Sequence, residues 1–285
     1  MMKDLDMYFS GNNRAYVQAG LRMLDGAKAF PKAILRGNGV RTFWGFRNFG
    51  DLITPLLLEQ VGKTPINCPH PAMTNMMMVG SILDPLSSGY RGTILGTGFL
   101  NEDRSFNATK ADVVAVRGLL TKERLKVRKN VALGDPGLLM SAYFNTETSK
   151  KFKVGLVPHY SEFDDARVMK LLNRFSGELT LIDVLDSPLS VYNKISQCEI
   201  VLSSSLHGLV FADSLDIPNV WISLSGRSRF KYDDYYTAYD VCRDPYQLTG
   251  DEGMDDLFNK AERICRADVL QVRDELQRIF LEYCQ

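Results

Sequence analysis

The sequence predicts an α/β protein made of two Rossmann-like, doubly wound domains that face one cleft. Its 285 residues are suited to two domains of roughly 120 to 150 residues each. The apolar runs are continuous rather than alternating, which is typical of parallel strands covered on both faces. These runs alternate with helical patterns, and both halves of the chain repeat the alternation.

The first half begins with a predicted helix over residues 13–29, where apolar residues recur at helical spacing before Pro31. The run GVRTFWGF is the first predicted strand, and LITPLLLEQVG is a helix that ends at Gly62. Further strand-to-loop or strand-to-helix units follow in TNMMMVGSIL, RGTILGTGFL and DVVAVRGLLTKERL. Together these units form the first predicted domain, residues 1–148.

Polar residues 145–151 are the predicted linker, and the second predicted domain covers residues 149–285. Its predicted strands are FKVGLVPHY, ELTLIDVL, EIVLSSS and PNVWISL. The helical patterns between them are DDARVMKLLNRF, PLSVYNKISQC and LHGLVFADSLD. The last forty or so residues form one or two amphipathic helices that either pack back across the domains or form a subunit contact.

Charge and cysteine content exclude several classes of protein. Thirty-four basic residues balance thirty-four acidic ones, so nucleic-acid binding is not expected and any anion site must be local. Five widely spaced cysteines without a CxxC pair indicate reduced thiols and no metal site, as in a cytoplasmic protein. The N-terminus has no leader pattern, and no transmembrane segment is expected.

His207 follows a predicted strand and begins a predicted helix, within SSSLHG. Unpaired backbone N–H groups and the helix dipole favour an anion there, so His207 can hold a phosphate or donate a proton. On position alone, a structural histidine that caps or packs at a buried helix start is the simpler explanation. Ser203, Ser204 and Ser205 also suit an N-cap. No acid or base partner is near in sequence and GxSxG is absent, which disfavours a Ser-His hydrolase.

The NFGD turn links the first strand to its helix. Gly50 permits a close backbone approach to a ligand or a positive φ, and Asp51 is placed to cap the helix beside Asn48. A plain turn is as good an explanation as a binding loop. GTGFL is half of a dinucleotide fingerprint, and neither GxGxxG nor GxxxxGK[ST] occurs, so NAD binding and phosphate-loop ATPase activity are disfavoured.

Cationic side chains also follow predicted strands. Arg117 follows one strand within AVRGLLT, and Arg227, Arg229 and Lys231 stand among aromatic residues after the last strand. His159 ends the strand in LVPHY. Arg117 could instead form an interdomain ion pair, and the segment with Arg227, Arg229 and Lys231 could be a solvated loop. His159 could be a structural histidine. Because the fold gathers strand ends, these residues predict a basic cleft for a small anionic substrate.

In this order and over about residues 40–240, the motifs resemble the polysaccharide pyruvyltransferase family, especially the branch that adds pyruvate ketals to exopolysaccharide sugars. The motifs are NFGDLITPLLLE, GTGFL, AVRGLLT, LGDPGLL, LVPHY, SSSLHGLVFADSLDIPNVWI and RFKYDDYY. The resemblance implies two Rossmann-like domains in a glycosyltransferase-B-like arrangement. It also implies transfer of a pyruvyl group from phosphoenolpyruvate to two hydroxyls of a sugar.

The resemblance implies roles for individual residues. His207 matches the family's histidine and is the expected acid, while Lys231 and Arg117 match its cations. Many members carry arginine at the position of Ser205, and aspartate at that of Gly118. A missing ligand would then come from Arg229 or Arg227.

His159 is placed near the acceptor sugar. Neither a cofactor nor a metal is expected beyond the donor, phosphoenolpyruvate. The expected acceptor is a sugar on a lipid-linked oligosaccharide, which allows peripheral membrane contact. Two alternatives stay open at this point, namely a nucleotide-sugar glycosyltransferase of the same architecture and a non-catalytic relative that binds carbohydrate or anions.

Overall fold

The computed structural model describes residues 12–45, 48–146 and 149–285, with side chains described from Leu21 on. The predicted domain boundary at residue 148 and part of the predicted linker lie outside the described residues. Residues 1–11, part of the N-terminal segment in which no leader pattern was found, lie outside them as well. Within the described ranges every pair of strands is parallel. The expectation of a mixed α/β protein with parallel sheets is confirmed.

Six strands belong to the first half of the chain. They are β1 (Gly39–Thr42), β2 (Thr64–Asn67), β3 (Met76–Met77), β4 (Thr93–Leu95), β5 (Asp112–Val116) and β6 (Ala132–Leu133). β1 pairs with β2, and the other four form a sheet in the order β3-β4-β5-β6. The backbone N–H of Asn75 donates to the carbonyl oxygen of Arg41 at 2.9 Å, which joins the two groups.

The second sheet lies in the order β11-β10-β9-β7-β8. Its strands are β7 (Phe152–Val157), β8 (Leu179–Leu181), β9 (Cys198–Ser203), β10 (Asn219–Ser223) and β11 (Tyr246–Gln247). β8 lies on one side of β7 and β9 on the other, so the winding reverses there. Val157 and Ser203 are paired at the carboxyl ends of these strands. In sheets of this order ligands bind outside that point.

Helices cover the strands. They are α1 (Asn12–Arg36), α2 (Ile53–Gln60), α3 (Leu119–Arg124), α4 (Met140–Tyr143), α5 (Ala166–Arg174), α6 (Pro188–Ser196), α7 (Leu206–Ser214), α8 (Phe230–Tyr236), α9 (Met254–Lys260) and α10 (Arg266–Tyr283). The predicted first helix runs on through Pro31, which is exposed. Because proline has no N–H, the backbone carbonyl four residues earlier loses its helical hydrogen bond, and on this exposed side it can bond to water instead.

The C-terminal helix α10 packs back onto the first half of the chain. Leu276 and Phe280 are fully buried in one core with residues of α2 and α7. The hydroxyl of Tyr283 donates to the carboxylate of Asp112 at the start of β5. Of the two expectations for this segment, packing across the halves is therefore the one observed. No helix among the described residues is long and apolar enough to cross a membrane.

Candidate functional site

A cavity of about 540 Å³ lies at the carboxyl ends of β7 and β9. Six residues that the sequence predicted for the site line it, and they come from both halves of the chain: Asn48, Asp51, His159, Ser205, His207 and Lys231. Arg22 and Arg227 line it as well. The topology therefore brings together side chains that are far apart in sequence, as expected for the ends of parallel strands.

His207 stands in the first turn of α7, a helix that is apolar on all sides and buried almost throughout. Phe49 is buried in the NFGD turn, and its ring packs edge-on against the imidazole with centroids 6.2 Å apart. A Cβ at Gly50 would overlap Nδ1 of His207. Gly50 is thus required for the close approach of the turn to the imidazole.

Asp135 lies behind His207. Its Oδ2 is 3.7 Å from Nε2 of His207, and the Asp135 side chain is fully buried. Its other oxygen, Oδ1, accepts the backbone N–H of Gly137 at 2.8 Å, which fixes the carboxylate. Within the described residues neither Oδ2 of Asp135 nor Nε2 of His207 has a hydrogen-bond partner. Two buried polar atoms without partners therefore face each other, and a small decrease in the distance between them would allow a hydrogen bond.

The NFGD turn is held by its own side chains. Oδ1 of Asn48 accepts the N–H of Asp51, and Nδ2 of Asn48 donates to Oδ2 of Asp51, both at 3.0 Å. Helix α2 begins at Ile53 with Leu52 at the N-cap and without a side-chain cap. The sequence-based expectation that Asp51 caps the helix is therefore wrong, because Asn48 takes up the Asp51 amide and the carboxylate lines the cavity instead.

The serines after β9 organise the loop after β7. Ser204 accepts the backbone N–H of His159 at 3.0 Å and donates to the buried carboxylate of Glu162. His159 accepts the N–H of Ser161 on Nδ1. Burial, together with the charges of Arg227 and Lys231, lowers the pKa of His159 to about 4. His159 is therefore neutral at ordinary pH and offers a hydrogen bond rather than a charge.

Glu162 anchors Arg227 at the cavity wall. Nε of Arg227 donates to Glu162 at 3.2 Å, and the Arg227 guanidinium also donates to Ser161. Burial alone would raise the pKa of Glu162, but hydrogen bonds from Ser204, Ser225 and Arg227 hold it below its usual value. The carboxylate is therefore ionised and fixes the guanidinium in the wall.

Lys231 lies in the first turn of α8, next to the stacked rings of Trp221 and Tyr232. The hydroxyl of Tyr232 donates to the carbonyl oxygen of Ser204 at 2.6 Å, which ties α8 to the loop before α7. Burial lowers the pKa of Lys231 to about 8, and the charges of Arg117 and Arg227 add to the effect. The segment that the sequence left open as a solvated loop is therefore a helix that places an ammonium group in the cavity.

Arg117 is fully buried behind the cavity. Its Nε donates to Asp234 at 2.9 Å, and its other nitrogens donate to Ser81 Oγ at 2.5 Å and to the carbonyl oxygen of Phe99 at 2.6 Å. Thr121 also donates to Asp234, through its amide and its hydroxyl. Of these residues only Ser81 lines the cavity. Arg117 therefore acts on the site indirectly, by its hydrogen bond to Ser81 and by its positive charge.

Arg229 lies outside this cavity. It forms ion pairs with Asp233 at 2.8 Å and with Asp244 at 3.0 Å, and it lies over the ring of Trp221. The position of Gly118 cannot accept the aspartate that the resemblance led us to consider, since a Cβ there would overlap the backbone of Asp234. The carboxylate beside Arg117 comes from Asp234 on α8 instead.

Sequence reasoning missed three residues of the site: Arg22, Asp135 and Glu162. Asp135 follows β6 within LGDPGLL, and the short strand before it is the signal that could have placed it at a sheet edge. Arg22 stands on α1, where nothing in the sequence indicates a cavity. Among the described residues no three His, Cys, Asp or Glu side chains are grouped as metal ligands would be.

The arrangement can hold a small anion with two charged groups. Arg22, Arg227 and Lys231 supply positive charge on the cavity wall, and the start of α7 supplies backbone N–H groups. His207, backed by a carboxylate, can move a proton at the same wall.

Comparisons with known proteins agree with the resemblance in sequence. Residues 86–226 match the family described as polysaccharide pyruvyl transferase. The chain is 31% identical over 216 residues to the uncharacterized protein L143 of Acanthamoeba polyphaga mimivirus, covering 70% of this chain and 74% of that protein.

A second relative is the succinoglycan biosynthesis protein ExoV of Rhizobium meliloti (strain 1021). It is 27% identical over 209 residues, which cover 72% of this chain and 61% of ExoV. No solved structure matches the chain. The matched residues 86–226 include Asp135, His159 and His207. This chain therefore belongs to the polysaccharide pyruvyl transferase family.

Proposed function

We propose that the protein transfers the pyruvyl group of phosphoenolpyruvate to two hydroxyls of one sugar residue, forming a cyclic ketal and releasing phosphate. The observation that carries the proposal is the cavity itself, where a histidine with a buried carboxylate partner stands among three cations. Membership of the family supports pyruvyl transfer, and the residues of the cavity suit the donor. The relative ExoV supports an exopolysaccharide precursor as acceptor, since its description names succinoglycan biosynthesis.

The donor carries a phosphate and a carboxylate, and it needs more than one fixed cation. We assign these to Lys231 and Arg227, with Arg22 as a third cation that lines the cavity. Each charged hydrogen bond contributes about 1.5 to 3 kcal/mol. Arg117 is assigned a supporting role through Ser81, because its guanidinium is occupied by Asp234. Arg227 is the better substitute for the arginine missing at Ser205, since Arg229 is paired outside the cavity.

His207 is assigned the acid that protonates the methylene carbon of the donor. The C3 carbon becomes a methyl group, and the positive charge that develops at C2 is met by a sugar hydroxyl. That hydroxyl returns its proton to His207 as the new C–O bond forms. The C–O bond to phosphate then breaks, and the second hydroxyl closes the ketal while its proton leaves with the phosphate. Asp135 is assigned to orient His207 through Nε2.

Contacts with the acceptor are assigned to His159 and Asp51, which also line the cavity. A neutral imidazole and an ionised carboxylate are common partners of sugar hydroxyls, as acceptors and weak donors. The low pKa of His159, about 4, suits this role, since a charged ring would compete for the donor's anionic groups. Asn48 holds Asp51 in place.

The proposal is tested by a phosphate-release screen with phosphoenolpyruvate against a panel of lipid-linked and free oligosaccharides. Release that depends on both substrates, with an acceptor whose mass rises by one ketal-linked pyruvyl group, is the expected result. The matched control is His207→Gln, in which release should be lost while phosphoenolpyruvate still binds. Turnover of a nucleotide sugar without phosphoenolpyruvate would overturn the proposal in favour of a glycosyltransferase. Binding of phosphoenolpyruvate without release across the panel would favour a non-catalytic relative.

A further inference from the structure

The outer face of α1 is unusually apolar. Six large apolar side chains lie exposed on its described part, namely Leu21 (40%), Met23 (59%), Leu24 (59%), Phe30 (52%), Ile34 (66%) and Leu35 (87%). Met23, Phe30 and Ile34 follow one another at positions i, i+7 and i+11, which places them on one side of the helix. Exposed apolar residues gathered on one surface, rather than scattered singly, mark an interaction site.

This apolar stripe is not the face by which α1 packs on the protein. Ala33 is buried, and a Cβ at Gly26 would overlap the carbonyl oxygen of Asn67 on β2. A Cβ at Gly39, at the start of β1, would likewise be too close to the side chain of Ala33. The helix therefore contacts the sheet through small residues, while its large apolar side chains point away from the sheet.

Basic residues border the stripe. Lys28, Lys32 and Arg36 are exposed on the same helix, and none of them forms an ion pair with another described residue. The whole chain has no net charge, so this positive charge is local. An apolar stripe edged by lysine and arginine is the pattern by which a helix lies in the interface of an anionic bilayer.

A second copy of the chain is a poorer partner for this face. In a two-fold contact both copies bury the same face, so the contact would contain Lys28, Lys32 and Arg36 from each copy. Like charges brought together in this way oppose association. An anionic lipid surface instead matches both the apolar and the charged parts of the face.

The same helix also reaches the candidate site. Arg22 lines the cavity, lies 4.9 Å from the centre of the Phe43 ring and donates to the carbonyl oxygen of Pro69. The middle of α1 thus stands at the cavity wall while its outer face is exposed. A surface bound along this face would hold the cavity close to the bilayer.

We propose that the outer face of α1 is a membrane-binding surface for anionic phospholipids. The helix lies in the headgroup region with Phe30, Ile34 and Leu35 inserted and with Lys28, Lys32 and Arg36 at the phosphates. The surface would bring the cavity to a lipid-linked acceptor. That use rests on the proposed function, whereas the lipid binding does not.

The test is co-sedimentation of the full chain with vesicles of phosphatidylcholine alone and of phosphatidylcholine with phosphatidylglycerol. Binding should need the anionic lipid. Lys28→Gln with Lys32→Gln should weaken it by about fivefold per charge, and Phe30→Gln with Ile34→Gln by at least about tenfold. The matched control is Met169→Gln with Leu281→Gln, which changes two apolar residues of similar exposure on other helices and should leave binding unchanged.

Absence of binding to anionic vesicles, or an equal loss in the control variant, would overturn the proposal. So would a dimer, seen by light scattering, that the change of Phe30 and Ile34 disrupts, because the stripe would then be a contact between copies. Phosphate release with a water-soluble acceptor should be the same in the α1 variants and in the unchanged chain. If that release fails in the unchanged chain while vesicle binding follows the predicted pattern, the proposed function fails and the membrane surface stands.

Discussion

Nε2 of His207 lies 3.7 Å from Oδ2 of the buried Asp135. The two residues come from different halves of the chain, His207 at the start of α7 and Asp135 after β6. A carboxylate at this distance offsets the charge of the imidazole when the ring carries a second proton. In the proposed mechanism this pair would prepare His207 for proton transfer.

Asp135→Asn should lower kcat about a hundredfold or more, because the amide no longer offsets charge on the ring and can favour the wrong tautomer. The Michaelis constant for phosphoenolpyruvate should change little, since Asp135 does not line the cavity. The asparagine oxygen can still accept the Gly137 amide, so the melting temperature should be retained. Nitrogen NMR of the His207 ring should show an altered tautomer, and an unaltered spectrum with full kcat would remove Asp135 from the mechanism.

His207→Gln should reduce pyruvyl transfer by roughly a hundredfold to ten-thousandfold, the usual contribution of a general acid. The substitution keeps a polar side chain of similar length beside Phe49, so folding and donor binding should persist. Steady-state phosphate release and calorimetric binding of phosphoenolpyruvate measure the two effects separately. Near-normal turnover in this variant would show that another group supplies the proton.

Affinity for phosphoenolpyruvate should fall as pH rises through about 8, where Lys231 loses its charge. Burial lowers the pKa of Lys231, so the ammonium form that attracts the donor is present below that pH and lost above it. Losing one charged hydrogen bond corresponds to about tenfold or more in affinity. Titration calorimetry at about pH 7 and about pH 9.5 measures the change.

Lys231→Arg serves as the matched control, because a guanidinium stays charged over this range. Its affinity should be nearly independent of pH, and a fall equal to that of the unchanged chain would show that another group titrates.

Asp234→Ala should destabilise the protein by about 3 to 5 kcal/mol, because it leaves the buried Arg117 without its carboxylate. Urea unfolding followed by circular dichroism measures the loss. The control is Asp233→Ala on the same helix, whose ion pair with Arg229 is partly exposed and should contribute about 0.3 to 0.5 kcal/mol. Similar losses of unfolding free energy in the two variants would mean that the buried ion pair contributes no more to stability than the exposed one.

The sequence predicted most strands because a covered parallel strand is a continuous apolar run. β2 (Thr64–Asn67) was missed, since it is short and contains Pro65. It lies at the edge of its sheet, where a proline without an N–H is tolerated. The first helix was predicted to end before Pro31 but continues to Arg36, because an exposed proline can be accommodated with water.

The candidate site was predictable as far as strand ends and helix starts mark it. His207, Ser205 and His159 follow strands, and the topology alone brings them to one edge. The pairing of His207 with Asp135 and of Arg117 with Asp234 depends on how the two halves pack, which no local pattern encodes. Arg229 illustrates the limit, since it stands two residues from Lys231 and yet points to Asp244.

The most direct test of the account is calorimetric titration of the protein with phosphoenolpyruvate. The account predicts saturable binding at one site, competition by inorganic phosphate, and at least about tenfold weaker binding in Lys231→Ala and in Arg227→Ala. An absence of binding, or binding that neither substitution weakens, would contradict the claim that this cavity holds the donor.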